Sequence, residues 1–230
     1  LPALGRDRRL AVAAGASASL LVLVPLAVAA SVQTGYWKDT KTLFAHSIRV
    51  TGENARAWQV LADGYAIEGD LSGAARRYEE ALRLRPGDSV LLDNLGRIRL
   101  SEGRVDEAVA LLAEVARRRP SSPVARAAFG LALGQSGRLE EAVSEFRASV
   151  TLRPRDAATH QNLGNALARL GRMPEAIASL GEALSIDPGL ADAYAALAFI
   201  LYQGGDYAGA WEQIHRGRAH GLRPPQDLLA

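Results

Sequence analysis

The chain contains no cysteine. Disulfides, thiolate nucleophiles and cysteine-bound metals are therefore excluded. Histidine is scarce: His46, His160, His215 and His220 are the whole supply. His215 and His220 lie five apart, whereas two ligands share a helical face at three or four. His160 stands where another repeat has Trp58 and reads as a packing residue. Lysine is almost missing, two against 25 arginines, a bias that a GC-rich gene is enough to explain. Charge of one sign is missing as well. From Lys38 onward, 24 basic side chains face 24 acidic ones. The excess of two comes from Arg6, Arg8 and Arg9 against Asp7. The pI of about 9.1 thus marks a basic N-terminus and not a basic surface. A nucleic-acid partner is not expected, because phosphate backbones are held by distributed positive charge. Aromatics are 6% of the chain although hydrophobic residues reach 48%. Alanine supplies much of the apolar content, which suits closely approaching helices better than a sheet. No glycine-rich phosphate loop occurs, since the glycines obey a different rule.

That rule is a period of 34. Gly35, Gly69, Gly103, Gly137, Gly171 and Gly205 are equally spaced, as are Ala74, Ala108, Ala142, Ala176 and Ala210. Pro86, Pro120, Pro154 and Pro188 keep the same step. A 34-residue period is the mark of stacked helical hairpins. Each hairpin packs only on its neighbours, and the stack offers an extended surface instead of a closed pocket.

One unit shows why. Trp58, Leu61, Ala62 and Tyr65 share one face of a first helix. Gly69 and Asp70 break it, glycine being favoured where a helix ends in a left-handed residue. Leu71, Ala74, Tyr78, Ala81 and Leu82 line a second helix, which Pro86 stops. Small Ala62, Ala74 and Ala81 let the helices approach, and the large residues fill the remaining space. The frame continues through Leu95, Gly96 and Leu112, then Phe129, Gly130 and Phe146, then His160, Leu163, Gly164 and Leu180, then Tyr194, Leu197, Ala198 and Ile214. In the fifth unit it decays, with Gly217 for the late alanine and a stop expected at Pro224-Pro225.

Trp58, Leu61, Tyr65, Gly69, Ala74, Tyr78, Ala81 and Pro86 resemble the tetratricopeptide repeat pattern. The resemblance implies an all-α fold, a right-handed α-solenoid whose first helices line an inner curve that holds proteins or extended peptides. Five units are expected, at 55–88, 89–122, 123–156, 157–190 and 191–224, with a tail at 225–230.

Before the repeats, no charge occurs between Arg9 and Lys38. Leu10 to Ser31 would span roughly 33 Å as a helix, enough to cross a hydrocarbon core. Residues 10–34 are expected to form a transmembrane helix after a cytoplasmic flank, 1–9. The arginines put that flank inside, in a bacterial inner membrane, and the repeats outside. A cleaved leader ending near Ala30 and a buried helix of a soluble protein are the competing readings. The chain opens on Leu1 and not methionine, so it is expected to be a piece of a longer protein or a processed chain. Residues 35–54 form a half-unit: Trp37, Phe44, Ser47 and Ile48 match Leu71, Tyr78, Ala81 and Leu82, so Tyr36 to Val50 is expected to be a second helix without its first. The segment Tyr36-Trp37-Lys38-Asp39, with Leu43-Phe44-Ala45-His46, Val50-Thr51 and Asn54, resembles the junction in multispanning membrane glycosyltransferase-type proteins that end in tetratricopeptide repeats. This resemblance implies that a sugar-transferring parent lies upstream.

The chain itself carries no catalytic set, so it is not expected to be an enzyme, and neither cofactor nor metal is implied. Glu79-Glu80, Asp106-Glu107 and Glu140-Glu141 read as solvated faces near helix starts, and Arg117-Arg118-Arg119 as a helix C-terminus favoured by the dipole. The partner groove is expected to use the first-helix side chains Gln59, Asp63, Asn94, Arg97, Ser101, Gln135, Gln161, Asn162, Asn165, Arg169 and Gln203, with Ile67 beside them. The amides of Asn94 and Asn162, at equal places in their units, both donate and accept, as gripping a peptide backbone requires; the alternative reading is that these residues are merely exposed and polar. Asp63 would repel a terminal carboxylate, so the lysine-and-asparagine clamp of chaperone-tail binders is not expected.

Overall fold

The computed structural model describes residues 40–51 and 54–222. These residues form eleven helices and no strand. The expected membrane segment 10–34, its flank 1–9 and the tail 225–230 lie outside the described residues. No helix among the described residues is long and apolar enough to cross a membrane.

The chain divides into two compact units, one ending at Pro86 and one beginning at Gly87. The first contains α1 (Thr40–Thr51), α2 (Ala55–Ile67) and α3 (Leu71–Leu84). The second contains four hairpins. They are α4 (Ser89–Ser101) with α5 (Val105–Arg118), α6 (Pro123–Gln135) with α7 (Leu139–Leu152), α8 (Ala157–Arg169) with α9 (Met173–Ile186), and α10 (Ala191–Gln203) with α11 (Tyr207–Ala219). First helices begin at 55, 89, 123, 157 and 191, and second helices at 71, 105, 139, 173 and 207, so the period of the sequence is the period of the backbone.

The turns inside the hairpins have one construction. Gly69, Gly103, Gly137, Gly171 and Gly205 have φ between 74 and 82°, a region that costs other residues strain. The next residue reaches back, as when Asp70 N–H donates to the Tyr65 carbonyl at 3.0 Å and Arg172 N–H to the Leu167 carbonyl at 2.9 Å. These bonds satisfy helix-end carbonyls that would otherwise lack donors. Second helices stop before proline. Arg85, Arg119, Arg153 and Asp187 leave the helical conformation, with ψ from 61 to 96°.

The last helix stops differently. It ends at Ala219, ahead of the expected Pro224-Pro225, because Gly221 takes φ 91° and Leu222 N–H donates to the Gly217 carbonyl at 2.9 Å. Gly217 makes this possible: a Cβ there would come within 2.7 Å of the Leu222 side chain. Folded back, Leu222 joins the core formed around Leu163, Leu180, Tyr194 and Leu197.

Inside each hairpin the small residues sit at the crossings. Ala62, Ala74 and Ala81 are wholly buried in the first unit, and Ala108, Ala142 and Ala176 in the second. At Gly164 a Cβ would come within 2.6 Å of Leu180 Cγ, so the glycine leaves the Leu180 side chain of α9 room against the α8 backbone. The α1 helix packs on α2. It starts at Thr40 among the described residues, and the earlier part of the expected half-unit lies outside them. Lys41 lies 4.7 Å from the centroid of the Tyr65 ring and Arg77 of α3 lies 4.4 Å from it, so two cations hold one aromatic. One expectation about charge is corrected: Glu79 and Glu80 fall in the middle of α3, where Glu80 pairs with Arg83 at 3.2 Å. Asp106, Glu107, Glu140 and Glu141 do lie in first turns.

Candidate partner-binding face

Within the second unit the first helices adjoin in order, α4 beside α6, α6 beside α8, and α8 beside α10. Residues 34 apart therefore form rows across these helices. One row is Arg97, Leu131, Asn165 and Phe199. Another is Ser101, Gln135, Arg169 and Gln203. A third is Asp93, Ala127, Gln161 and Ala195.

The rows differ in how free their side chains are. Arg97 is exposed but spends its guanidinium on Asp93, at 2.8 Å. Ser101 donates to the Ile98 carbonyl at 2.7 Å. Asn94 is half-buried and already engaged within the protein. Gln135 and Gln203 are exposed, Gln161, Asn162 and Asn165 are half-buried, and none of the five side chains has a hydrogen bond to another described residue. Arg169 is exposed, donates to the Gly134 carbonyl at 2.8 Å, and meets no carboxylate among the described residues.

Three of these side chains converge. Asn165 and Arg169 from α8 and Gln203 from α10 line one cleft of about 400 Å³, together with Ala168, Met173, Ala196, Phe199 and Ile200. The cleft has an apolar wall and a polar rim with donors to spare, as sites for small or side-chain-sized ligands do. Phe199 is 60% exposed there, so its ring is open to a partner that enters the cleft. Phe199 is not among the groove residues that the sequence pattern offers. Its signal was positional: Asp63, Arg97 and Asn165 are polar at the same place in their units, and a ring there need not be core.

In the first unit, taken by itself, the candidate residues serve the fold. Gln59 is only 9% exposed and accepts from Arg56 at 3.1 Å. Asp63 accepts a hydrogen bond from the Tyr78 hydroxyl of α3. Ile67 is 87% exposed, alone among the apolar side chains of α2 in being so open.

No three His, Cys, Asp or Glu side chains converge to hold a metal among the described residues. His160 is half-buried with its Nε2 at 2.9 Å from the Pro154 carbonyl. His220 stacks on Tyr194 at 5.7 Å, and His215 meets Trp211 edge-on at 5.0 Å. One electrostatic perturbation among the described residues is also local. Glu114 accepts hydrogen bonds from Arg117 and Arg118, which hold its carboxyl down at about 2.

Tandem hairpins of this length, with a free polar and aromatic face on the first helices, define a repeat scaffold. A family model described as "Tetratricopeptide repeat" matches residues 65–129 and 171–224, more than half of the chain, and a second of the same description matches 127–191. The chain belongs to the tetratricopeptide repeat family. No curated protein sequence matches it. Among solved structures, MamA (residues 41 to the end) from Desulfovibrio magneticus RS-1 is similar, with a TM-score of 0.68 and 22% identity over 74% of this chain and 96% of that one. YrrB, described as "a TPR protein with an unusual peptide-binding site", gives 0.63 and 20% over 77% and 92%. A chain of the Cut9-Hcn1 hetero-tetramer of the APC/C gives 0.68 and 23% over 82% and 38%. At these identities the likeness is one of fold.

Proposed function

We propose that the chain is a protein-interaction module that holds an extended polypeptide along the first-helix face of its second unit. The convergence of Asn165, Arg169 and Gln203 around the exposed ring of Phe199 carries this reading. An aromatic wall supplies apolar contact, and amides without internal partners match the donors and acceptors of a peptide backbone. Gln135, Gln161 and Asn162 extend the same chemistry along α6 and α8. Peptides selected against the intact chain from a display library supply the ligand for a test. Phe199→Ala should weaken the selected peptide about tenfold or more, as loss of a buried aromatic anchor does. Asn165→Ala with Gln203→Ala should weaken it by a similar factor, with helicity unchanged by circular dichroism. Undiminished affinity in both variants would remove the site from the cleft.

Residues 10–34 anchor this module in the bacterial inner membrane in our reading, with 1–9 cytoplasmic and the repeats outside. The uncharged run after Arg6, Arg8 and Arg9 supports it. The Tyr36-Trp37-Lys38-Asp39 junction supports a parent of the membrane sugar-transferase type, for which the repeats would be a substrate or acceptor platform. Resistance to alkaline extraction, with repeats digested by protease in spheroplasts, is the outcome this requires. A mature start near Ala30 would instead make the chain a secreted scaffold.

A further inference from the structure

The seams between successive second helices are not alike. Between α7 and α9, Arg147 and Glu175 close the seam with an ion pair at 2.5 Å, and Val143 beneath is 3% exposed. One repeat later, between α9 and α11, the residues 34 positions on are Gly181, Gly209 and Ile177. Both halves of the closing pair are glycine, and Ile177 is 37% exposed. Gly209 has a local cause, because the Asp206 carboxylate caps its N–H at 2.9 Å and occupies the space a Cβ would take. Gly181 has none: a Cβ there meets nothing within 4 Å, although glycine weakens the interior of a helix.

Where that pair is missing, a cleft of about 360 Å³ opens between α9, α10 and α11, and it shares no lining residue with the first-helix cleft. Ile177, Leu184, Leu197 and Leu201 form its wall, and Gln213 and Arg216 stand at its rim. Arg216 lies 5.7 Å from the Tyr194 ring centroid and has no carboxylate partner among the described residues, Glu212 one turn earlier included. The Gln213 amide has no hydrogen bond to another described residue either.

We propose that this seam is a second binding site, taking a protein segment that carries a bulky apolar side chain beside a carboxylate. The cleft volume falls in the range of sites for side-chain-sized ligands. The guanidinium matches a carboxylate in two parallel bonds, and the amide matches a peptide group. The open mouth of the cleft lets a side chain enter from a backbone lying across the seam.

The intact chain in lipid nanodiscs, labelled at isoleucine methyls, tests this with N-acetyl-Phe-Glu-amide as probe. The Ile177 methyl should shift saturably, reporting this seam, whereas Ile200 reports the first-helix cleft. N-acetyl-Phe-Gln-amide should bind about tenfold more weakly, and Arg216→Gln should cost a similar factor, as loss of a charged hydrogen bond does. Gly181→Leu should abolish the Ile177 response. Gly181→Ala, which adds only a methyl group in open space, should keep that response and raise the melting temperature. The proposal fails if Gly181→Leu binds as before, if the amide probe binds equally well, or if Ile177 stays silent at about 10 mM peptide. A response of Ile200 alone would leave the peptide face standing and overturn this site. An Ile177 shift that follows protein concentration and not peptide would assign the seam to a second copy of the chain, and would overturn it too.

Discussion

Glu114 stands three residues before Arg117 and four before Arg118 on α5, the spacings at which helical side chains meet. Arg117 grips it with two bonds, at 2.8 and 2.6 Å, and Arg118 adds a third. Arg118 also reaches the Gly87 carbonyl at 3.1 Å, tying the end of α5 to the entry of α4. Two of the three arginines that the sequence assigns to a dipole effect, Arg117 and Arg118, therefore act first through a carboxylate of their own helix. Hydrogen bonds from Arg117, then from Arg118, favour the charged form, so the carboxyl titrates at about 2. The sign follows. A depressed acid contributes stability above its unfolded range, near pH 4, and loses it as pH falls toward 2. The contact lies at the surface, where solvent screens it, so the effect belongs to titration and not to a measurable share of stability. NMR of the Glu114 side-chain carboxyl should show a midpoint about 2, and Arg117→Gln should move it upward. A midpoint near that of a free glutamate in the unmodified protein would show that the contact does not persist in solution.

At the scale of the element, the second helices begin in two chemically distinct ways. In α3 and α11 the residue before the helix is aspartate, Asp70 or Asp206, and it accepts from Gly73 or Gly209 N–H at 2.7 or 2.9 Å. Glycine suits the place, because a Cβ at either position would crowd the capping carboxylate and make it shift. In α5, α7 and α9 the same place holds arginine, which makes no cap and instead binds the glutamate three residues on. Arg138 meets Glu141 at 2.7 and 2.6 Å, and Arg104 and Arg172 repeat the contact with Glu107 and Glu175. Residues 16 and 19 of the unit thus exchange as a pair, Asp with Gly or Arg with Glu. Arg138→Asp alone should destabilise the protein, since the new carboxylate would face Glu141. Glu141→Gly alone should also destabilise it, by removing the partner and adding a helical glycine. The double variant should recover a favourable coupling of about 1 kcal/mol, the usual worth of a cap. Urea midpoints of the four proteins test this, and strict additivity would refute it. These helices were legible in the sequence because glycine and proline act on their own backbone. The turn glycines and the stops at Pro86, Pro120, Pro154 and Pro188 needed no tertiary knowledge. The end of α11 did need it: Gly221 stops that helix only because Leu222 finds the space that Gly217 leaves.

For the molecule as a whole, outward placement of the polar first-helix residues could be read from helical period, but their availability could not. Gln59 is buried beside Arg56, Asp63 is taken by Tyr78 from the next helix, and Asn94 is engaged, whereas Asn165 and Gln203 keep free amides. Each difference depends on what the neighbouring helix presents. Phe199 escaped for the converse reason. Helical period assigns rings to cores, and only the open cleft between α8 and α10 shows this one uncovered. The charge pattern of the chain points the same way. Acidic and basic residues balance from Lys38 onward, and most charges on the face and around it are paired at short range, as in Arg97 with Asp93 and Arg126 with Glu145. Such a surface gives little long-range attraction, and Arg169 is the cation of the α8–α10 cleft left without a carboxylate. Affinity there must come from apolar contact and amide hydrogen bonds, which salt screens weakly. Raising sodium chloride from about 50 to about 500 mM should therefore weaken a selected peptide by no more than about threefold, the share of one exposed ion pair. A duplex DNA ligand held by many phosphates would lose orders of magnitude over the same range. A steep salt dependence in peptide binding would show that charge, and not the Phe199 wall, holds the partner. An Arg169→Gln variant would then decide whether that charge is in the cleft, because the steepness should vanish with it if so and persist if the attraction arises elsewhere.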